Sequence, residues 1–340
     1  MKKSLTLVLI VLLAISLLAV GCSQQTPPAE PAQPADAPEV RENFEIKLGS
    51  GPAGAITDAL YGAVFEDFKK IPYLTGGPTT GAPAANVAGV AQGKYNIAHS
   101  LSDITGAALD GTGFFKETGA ISGVKNLVTW WPMVSTLVVW ADSPYQKLED
   151  LKGKKVTPGP RMGSNDLELQ RILEAMGMSY DDFDVQFLGF DDAQQQMLDG
   201  QIEALLYAHT SYPHGALLSV IAQKQVRFLP IPEEAVDAVV AKYKGVEKAV
   251  LPAGIYTLKD GSKNEEMIGV GGSIHWLVKD DFPEDVAYDM VKSITENFER
   301  YQANFNNLKW MKVEDLAKEV PGVELHPGSK KYFQERGFIK

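Results

Sequence analysis

Residues 45–54 read EIKLGSGPAG, and this stretch decides the fold class. Glu45 to Leu48 alternate between charged and apolar residues, which predicts a β-strand. A glycine-rich turn follows, and then a helical pattern that runs to about Lys70 with its apolar residues on one face. A strand that enters a helix through such a turn is the repeating unit of α/β proteins, so we expect an α/β fold.

The turn at Gly49, Gly51 and Gly54 also fits the G-x-G-x-x-G pattern of dinucleotide-binding proteins. That pattern expects a carboxylate about twenty residues later, where it would hold a ribose hydroxyl. Residues 72–77 (PYLTGG) contain none, so we expect no cofactor. Free backbone N–H groups at the helix start would still bind an anion, and a carboxylate would serve as well as a phosphate. A plain tight turn is the alternative.

A second stretch repeats this order. Residues 154–166 read KKVTPGPRMGSND and lead into another helical pattern. Asn165, followed by Glu168 three residues later, predicts a capping box at that helix start. Two helix N-termini facing each other across a cleft would hold an acidic small molecule from both sides. Arg161 would add a full positive charge with bidentate geometry, unless it is a solvent-exposed loop residue.

Strands and helices alternate along the rest of the chain. Residues 124–142 are apolar and rich in β-formers, which predicts a buried strand, and its Trp130 and Trp131 are more often core residues than ligand contacts. Residues 283–300 predict one amphipathic helix. The length beyond Asn43 predicts two lobes with a hinge. We assign residues 43–138 and 269–340 to lobe 1, and residues 139–268 to lobe 2.

The N-terminus indicates the compartment. Residues 1–22 read MKKSLTLVLIVLLAISLLAVGC, with an apolar stretch of signal-peptide length that is short for a membrane span. The stretch ends at Cys22, the only cysteine, and resembles the lipobox of bacterial lipoproteins. We expect a signal peptide over residues 1–21, then a lipidated Cys22 and a proline-rich tether over residues 22–42. An ordinary signal peptide with an incidental cysteine is the alternative.

A lipid-anchored chain outside the cytoplasm has little access to NAD(P) or ATP, and a single cysteine provides no disulfide framework. The net charge of −11 falls to −13 without Lys2 and Lys3, which argues against nucleic acid as a partner. The sequence contains no H-E-x-x-H, C-x-x-C or G-x-S-x-G, and its five histidines lack metal-ligand spacing. We therefore expect no metal, and no motif indicates an enzyme, although a hydrolase assembled from scattered residues stays open at this point.

Several segments, in order and spacing, resemble the TAXI-type solute-binding proteins of TRAP (tripartite ATP-independent periplasmic) transporters. The resemblance extends from about Ile46 to Lys340. The matching segments are LEDLKGKKV at 148–156, the glycine–serine turn at 159–166, AMG at 175–177, LDGQIEA at 198–204, VLPAGIY at 250–256 and LHPG at 325–328 with Tyr332.

The resemblance implies a two-lobe Venus-flytrap fold of the periplasmic-binding-protein type, and no catalysis. It implies that a small organic acid or amino acid is delivered to a sodium-driven TRAP permease in the membrane. The family's ligand contacts carry over to Ser50, Gly51, Ala53, Gly54 and Ala55 in the first loop, to Thr79 and Asn86, to Ser102 and Asp103, and to Gly163, Ser164 and Asn165. The chain departs from the family at Leu101, where glutamine is usual, and at residues 165–166, where Gly-Thr is usual.

Trp130, Trp131 and Tyr212 would make the pocket more aromatic and suit a less polar acid. Two other functions stay open at this stage. The same flytrap could present its closed form to a membrane kinase or chemoreceptor as a sensor. An extracellular enzyme built from scattered residues on a two-lobe scaffold is the third alternative.

Overall fold

Ten strands belong to one continuous sheet in the part of the chain that the computed structural model describes, which is residues 41–51, 55–161 and 163–340. Four of the strands begin within the first 124 residues of the chain. The strands are β1 Phe44–Gly49, β2 Leu74–Thr79, β3 Ile97–Leu101, β4 Val124–Trp140, β5 Lys155–Gly159, β6 Asp184–Phe187, β7 Ala204–Ser211, β8 Val226–Phe228, β9 Glu247–Leu251 and β10 Met267–Lys279.

Helices connect these strands, and short 3-10 turns complete several loops. The α-helices of the described residues are α1 Ile56–Phe68, α2 Pro83–Ala91, α3 Ser102–Asp110, α4 Ser164–Ala175, α5 Phe190–Leu198, α6 Gly215–Gln223, α7 Glu233–Lys242, α8 Glu284–Glu296, α9 Phe298–Asn304 and α10 Pro327–Glu335. The alternation of strands and helices predicted from the sequence is confirmed.

The order of strands across the sheet is β2-β1-β3-β10-β4-β7-β5-β6, while β8 pairs with β4 and β9 with β10. The strand β1 lies between β2 and β3 and is parallel to both. The strand β5 lies in the same way between β6 and β7, again parallel to both. The sheet therefore contains two parallel halves with the same local topology.

The long antiparallel strands β4 and β10 join the two halves. The first part of β4 pairs with β10 over residues 124–134, and its second part pairs with β7 over residues 133–139. Trp130, Trp131 and Trp276 are buried in an apolar cluster with helices α1, α8 and α10, so the expected core role of Trp130 and Trp131 is confirmed. Separate apolar clusters surround β5 and β7 in the other half.

The C-terminal part corrects one expectation. The predicted single helix over residues 283–300 ends at Glu296, and α9 begins at Phe298. The break lies at Asn297, whose backbone N–H and side-chain amide both donate to the Ser293 carbonyl oxygen, at 3.3 and 2.9 Å. In α9, Arg300 and Tyr301 both bond to the buried Asp67 carboxylate of α1.

The predicted signal peptide, Cys22 and almost all of the tether lie outside the described residues and stay predictions. No helix of the described part is long and apolar enough to cross a membrane. The lobe boundaries proposed from the sequence also stay predictions.

Two helical glycines give the fold a paired test. A Cβ atom on Gly106 in α3 would lie 1.9 Å from the Lys244 carbonyl oxygen, whereas a Cβ on Gly62 in α1 would meet nothing within 4 Å. We expect Gly106→Ala to lower the free energy of unfolding by about 1–3 kcal/mol through overpacking. Gly62→Ala should raise it by up to about 1 kcal/mol, because alanine is the better helix former. Urea unfolding measures both values, and two changes of the same sign would contradict the packing at Gly106.

Candidate functional site

Each half of the sheet contains a topological switch point. There the chain leaves the central strand, and the next two strands form on opposite sides of that strand. After β1 the chain forms β2 on one side and then β3 on the other, and after β5 it forms β6 and then β7 in the same way. In open α/β sheets, ligands bind at the carboxyl ends of the strands at such switch points. Both glycine-rich turns of the sequence follow these central strands, so both lie at the expected binding edge.

Asn86 organises the first of these points. Its side-chain amide nitrogen donates to the Ser50 carbonyl oxygen at 2.8 Å and to the His99 carbonyl oxygen at 3.2 Å. A Cβ atom on Gly49 or Gly81 would lie 2.6 or 2.4 Å from the Asn86 side-chain oxygen, so both positions require glycine. Asn86 thereby joins the carboxyl ends of β1 and β3. The structure gives this residue a positioning role, and its contact with a ligand stays a prediction.

Hydroxyl groups face the first turn. Ser50 is buried, and its backbone N–H donates to the Thr79 carbonyl oxygen at 2.7 Å. The hydroxyl oxygens of Ser50 and of Thr57 are buried without a hydrogen-bond partner among the described residues. Buried polar atoms are normally hydrogen-bonded, so such atoms beside a switch point indicate a place for a ligand or water. A Cβ on Gly51 would lie 2.2 Å from the Thr57 hydroxyl, so only glycine fits there.

An uncharged histidine lies behind this turn. His99 Nε2 is 3.7 Å from the position of a Cβ on Gly51, and His99 Nδ1 is 2.9 Å from the Tyr61 hydroxyl. Burial lowers the pKa of His99 to about 4. The imidazole is therefore neutral near pH 7, and this half of the site presents hydroxyls, amides and a neutral ring rather than a cation.

The second turn meets the first half of the sheet directly. The Ser164 hydroxyl at the start of α4 donates to the Asp103 carboxylate at the start of α3, at 2.5 Å. Ser102, next to Asp103, is buried, and its hydroxyl accepts from the Ser273 N–H at 3.1 Å. Of the predicted contacts, the structure thus brings Asp103 and Ser164 together.

The capping box predicted at Asn165 and Glu168 is wrong. The N-cap of α4 is Gly163, and no side chain caps it. Asn165 lies inside the helix, and the Glu168 carboxylate forms an ion pair with Arg171 one turn later. Glu168 is fully buried, and a buried charge is costly unless it is paired. The carboxylate therefore pairs with the Arg171 cation rather than with a backbone N–H at the helix start.

The sequence model of the NMT1-like family matches residues 59–337. The chain belongs to the NMT1-like family. The periplasmic aliphatic sulphonate binding protein SsuA from Escherichia coli has a similar structure, with a TM-score of 0.50 and 15% identity over 87% of this chain and 94% of that chain. The expected α/β, two-lobe periplasmic-binding-protein fold is thereby confirmed.

Two further solved structures are similar at a lower level. The alkanesulfonate-binding protein SsuA from Xanthomonas axonopodis pv. citri, bound to MOPS, has a TM-score of 0.46 and 13% identity over 87% of this chain and 92% of that chain. A putative L-cystine ABC transporter protein from Listeria monocytogenes has a TM-score of 0.44 and 13% identity over 79% of this chain and 98% of that chain.

The remaining predicted contacts of the NMT1-like chain have varied surroundings. The exposed Arg161 has its guanidinium 3.7 Å from the centre of the Phe187 ring. Trp131 is buried in the core. Tyr212 is also buried, and this burial raises the pKa of its hydroxyl to about 12. Ala55 precedes α1. Ala53 and Gly54 lie outside the described residues. Whether any of these residues touches a solute stays a prediction.

Several residues near the two turns escaped the sequence analysis. Thr57 and His99 approach the first turn, and Phe190, Tyr207 and His214 form an aromatic group near the second. No motif marks them, because they come from different strands and loops. For the aromatic group of Phe190, Tyr207 and His214, the only indication in the sequence was the glycine pattern at residue 159.

A groove of 730 Å³ lies at another part of the surface, between β8 and the start of β10. Its walls include Arg227, Phe228, Glu266 and Met267, and none of the predicted contacts lines it. The Arg227 guanidinium there is already bonded to the Ala141, Ser143 and Tyr145 carbonyl oxygens. We therefore place the candidate site at the two switch points rather than in this groove.

The buried ion pair beside Asp103 governs the charge balance of the site. Burial raises the pKa of Glu168, the Arg171 guanidinium opposes that change, and the Asp103 carboxylate adds to it. Arg171 is itself buried, with its guanidinium 4.4 Å from the centre of the Tyr243 ring. Removal of the cation would leave a buried carboxylate without compensation, which is costly.

We expect Arg171→Met to lower the free energy of unfolding by about 3–5 kcal/mol at alkaline pH, where Glu168 is ionised. Burial raises the pKa of Glu168 to about 8 even with Arg171 present, and loss of the cation raises it further, so the loss should shrink as the pH falls through 8 and the carboxyl group takes up a proton in both proteins. Urea unfolding at several pH values measures the effect. Lys242→Met is the control, because its ion pair with Glu174 is exposed and should contribute less than about 1 kcal/mol. A loss independent of pH would contradict the assignment.

Proposed function

We propose that this NMT1-like protein is an extracytoplasmic, lipid-anchored receptor that captures a small organic anion, a carboxylate or an amino acid, and delivers it to a TRAP permease. The receptor carries no cofactor and performs no catalysis. Its lobes close on the solute, and the closed form docks on the membrane subunits. Cys22 holds it to the bacterial cell membrane, and the proline-rich tether, about 55 Å long in polyproline II, keeps the folded body away from the lipid.

One observation carries the proposal. Two switch points of the same topology each bear a glycine-rich turn, and the Ser164–Asp103 hydrogen bond joins the second turn to the first half of the sheet. Helix N-termini and free hydroxyls at such positions suit an anion. The unpartnered hydroxyls of Ser50 and Thr57 supply two of the donors.

The family and the fold are compatible with solute capture. The similar Escherichia coli protein is described as a binder of aliphatic sulphonates. That likeness supports the architecture, whereas the preference for an anion rests on the amides and hydroxyls of this chain. The TRAP partner rests on the TAXI-like segments of the sequence.

A binding screen tests the proposal. We expect the full chain, purified without added ligand, to show a raised melting temperature with at least one acid from a panel of L-glutamate, pyruvate, succinate and phenylacetate, because a ligand stabilises the state it binds. Native mass spectrometry should show a retained solute. Ser50→Ala should weaken binding of that acid by about three- to tenfold, the value of one hydrogen bond.

Ser219→Ala is the control for this variant, because the Ser219 hydroxyl lies on an exposed face of α6. A chain whose melting temperature ignores every acid in the panel, and which retains no solute, would contradict the proposal. Delivery rather than sensing requires that sodium-driven uptake of the bound acid by cells depends on this chain. Uptake that continues without the chain would exclude the TRAP role.

The anchor has a separate test. In cells fed a labelled fatty acid, the full-length chain should carry the label and sediment with the membrane fraction. Cys22→Ala should lose the label and leave the membrane fraction, because no other cysteine can take its place. Retention of the label by Cys22→Ala would contradict the assignment of the lipidation site.

A further inference from the structure

Three aromatic rings form one group at the second switch point. The Phe190 ring lies 5.3 Å from the Tyr207 ring and 5.0 Å from the His214 ring, measured between ring centres, and Tyr207 and His214 are 5.3 Å apart. Phe190 follows β6, Tyr207 belongs to β7 and His214 follows β7. The group therefore draws on β6 and β7, the two strands that flank the central strand β5. We call it the aromatic triad.

The triad combines an exposed ring with buried polar atoms. Phe190 is 37% exposed, whereas Tyr207 is fully buried. The Tyr207 hydroxyl and His214 Nδ1 have no hydrogen-bond partner among the described residues. An unsatisfied buried hydroxyl costs stability, so its place in the structure calls for a reason.

Neither polar atom carries a charge near pH 7. Burial lowers the pKa of His214 to about 4, so its imidazole is neutral. Burial, together with the nearby Asp191 carboxylate, raises the pKa of Tyr207 well above its ordinary value, so its phenol stays protonated. The triad offers aromatic surface and neutral hydrogen-bonding atoms, which suits an uncharged part of a ligand.

The triad borders the second glycine-rich turn. A Cβ atom on Gly159 would lie 3.3 Å from the Phe190 ring, 3.8 Å from the Tyr207 ring and 3.9 Å from the Asn165 side-chain nitrogen. Gly159 also has a φ of +95°, which favours glycine. The absent side chain at residue 159 thus leaves the triad in direct proximity to the start of α4.

We infer that the aromatic triad is a subsite for the uncharged end of the solute, and that the solute is an organic anion bearing an aromatic ring with a polar substituent. This inference rests on the proposed function. The ring of the solute packs against Phe190, since aromatic rings prefer edge-to-face or offset neighbours. Its substituent bonds to the Tyr207 hydroxyl and His214 Nδ1 once the Phe190 side chain turns aside. The anionic group lies at the start of α4, where the Asn165 side-chain nitrogen is 3.9 Å from the position of a Cβ on Gly159.

Three probes of matched length test this inference by calorimetry with the full chain: 3-phenylpropanoate, 3-cyclohexylpropanoate and 3-(4-hydroxyphenyl)propanoate. We expect the phenyl acid to bind several-fold more tightly than the cyclohexyl acid, within the range of about two- to tenfold that ring–ring contacts supply. The hydroxyphenyl acid should bind more tightly again, by about three- to tenfold, through its hydrogen bond.

Two variants separate the contributions. Phe190→Leu keeps the apolar volume and should abolish the preference for phenyl over cyclohexyl. Tyr207→Phe keeps the ring, removes only the hydroxyl, and should reduce the preference for hydroxyphenyl over phenyl while the first preference persists. Trp310→Leu is the control, because Trp310 is an exposed aromatic residue outside the triad and should change neither preference. Melting temperatures of the ligand-free variants verify that each is folded.

Equal affinity for the phenyl and cyclohexyl acids, or a preference that survives Phe190→Leu, overturns the inference. Binding of L-glutamate or succinate with no binding of any of the three probes also overturns it, while the proposed function stands. Failure of every acid to bind defeats the proposed function, and the inference falls with it.

Discussion

The antiparallel pairing of β4 with β10 is the constraint on which the rest of the structure depends. These two strands are the only sheet connection between the halves among the described residues, because β3 pairs with β10 and β7 pairs with β4. Close approach is built into the pair: a Cβ atom on Gly271 would lie 2.3 Å from the Met133 carbonyl oxygen. The positions of both switch points follow from this pairing. The central strand β1 lies two places beyond β10 on one side, and the central strand β5 lies two places beyond β4 on the other.

Charge in the candidate site is largely committed to internal contacts. Arg171 serves Glu168, and Arg161 lies against the Phe187 ring. Asp103, at the contact between the halves, contributes negative charge. An anion would therefore be held mainly by backbone amides, hydroxyls and helix dipoles, which act only at short range. Such a site selects its ligand by shape and hydrogen-bond geometry more than by net attraction, which agrees with the acidic charge of the whole chain.

The sequence was informative wherever the local pattern determines the structure. The strand at residues 45–48, the apolar strand of residues 124–142 and the repeat at residue 159 all lie where the patterns placed them. The α/β class and the two-lobe fold follow from these elements. The helix break at Asn297 was missed, because the tertiary contact of Arg300 and Tyr301 with Asp67 accompanies it and no local pattern shows such a contact.

The candidate site was less predictable for the same reason. The glycine turns are local features, whereas Glu168 pairs with Arg171 instead of capping its helix only because the helix start is buried. The aromatic triad depends on three segments brought together by the strand order, and its residues carry no shared spacing in the sequence. The sequence alone therefore did not show which of these residues are buried, or which segments the strand order brings together.

The two tryptophans in the antiparallel pair of β4 and β10 have one more consequence. Trp130 of β4 and Trp276 of β10 are buried with their ring centres 5.4 Å apart and their planes inclined at 70°. Two indoles at this separation couple electronically, and the strength of the coupling depends on their mutual angle. Any bending of the two strands against each other would alter the near-ultraviolet circular dichroism, so the molecule contains an intrinsic optical reporter of the pairing between β4 and β10.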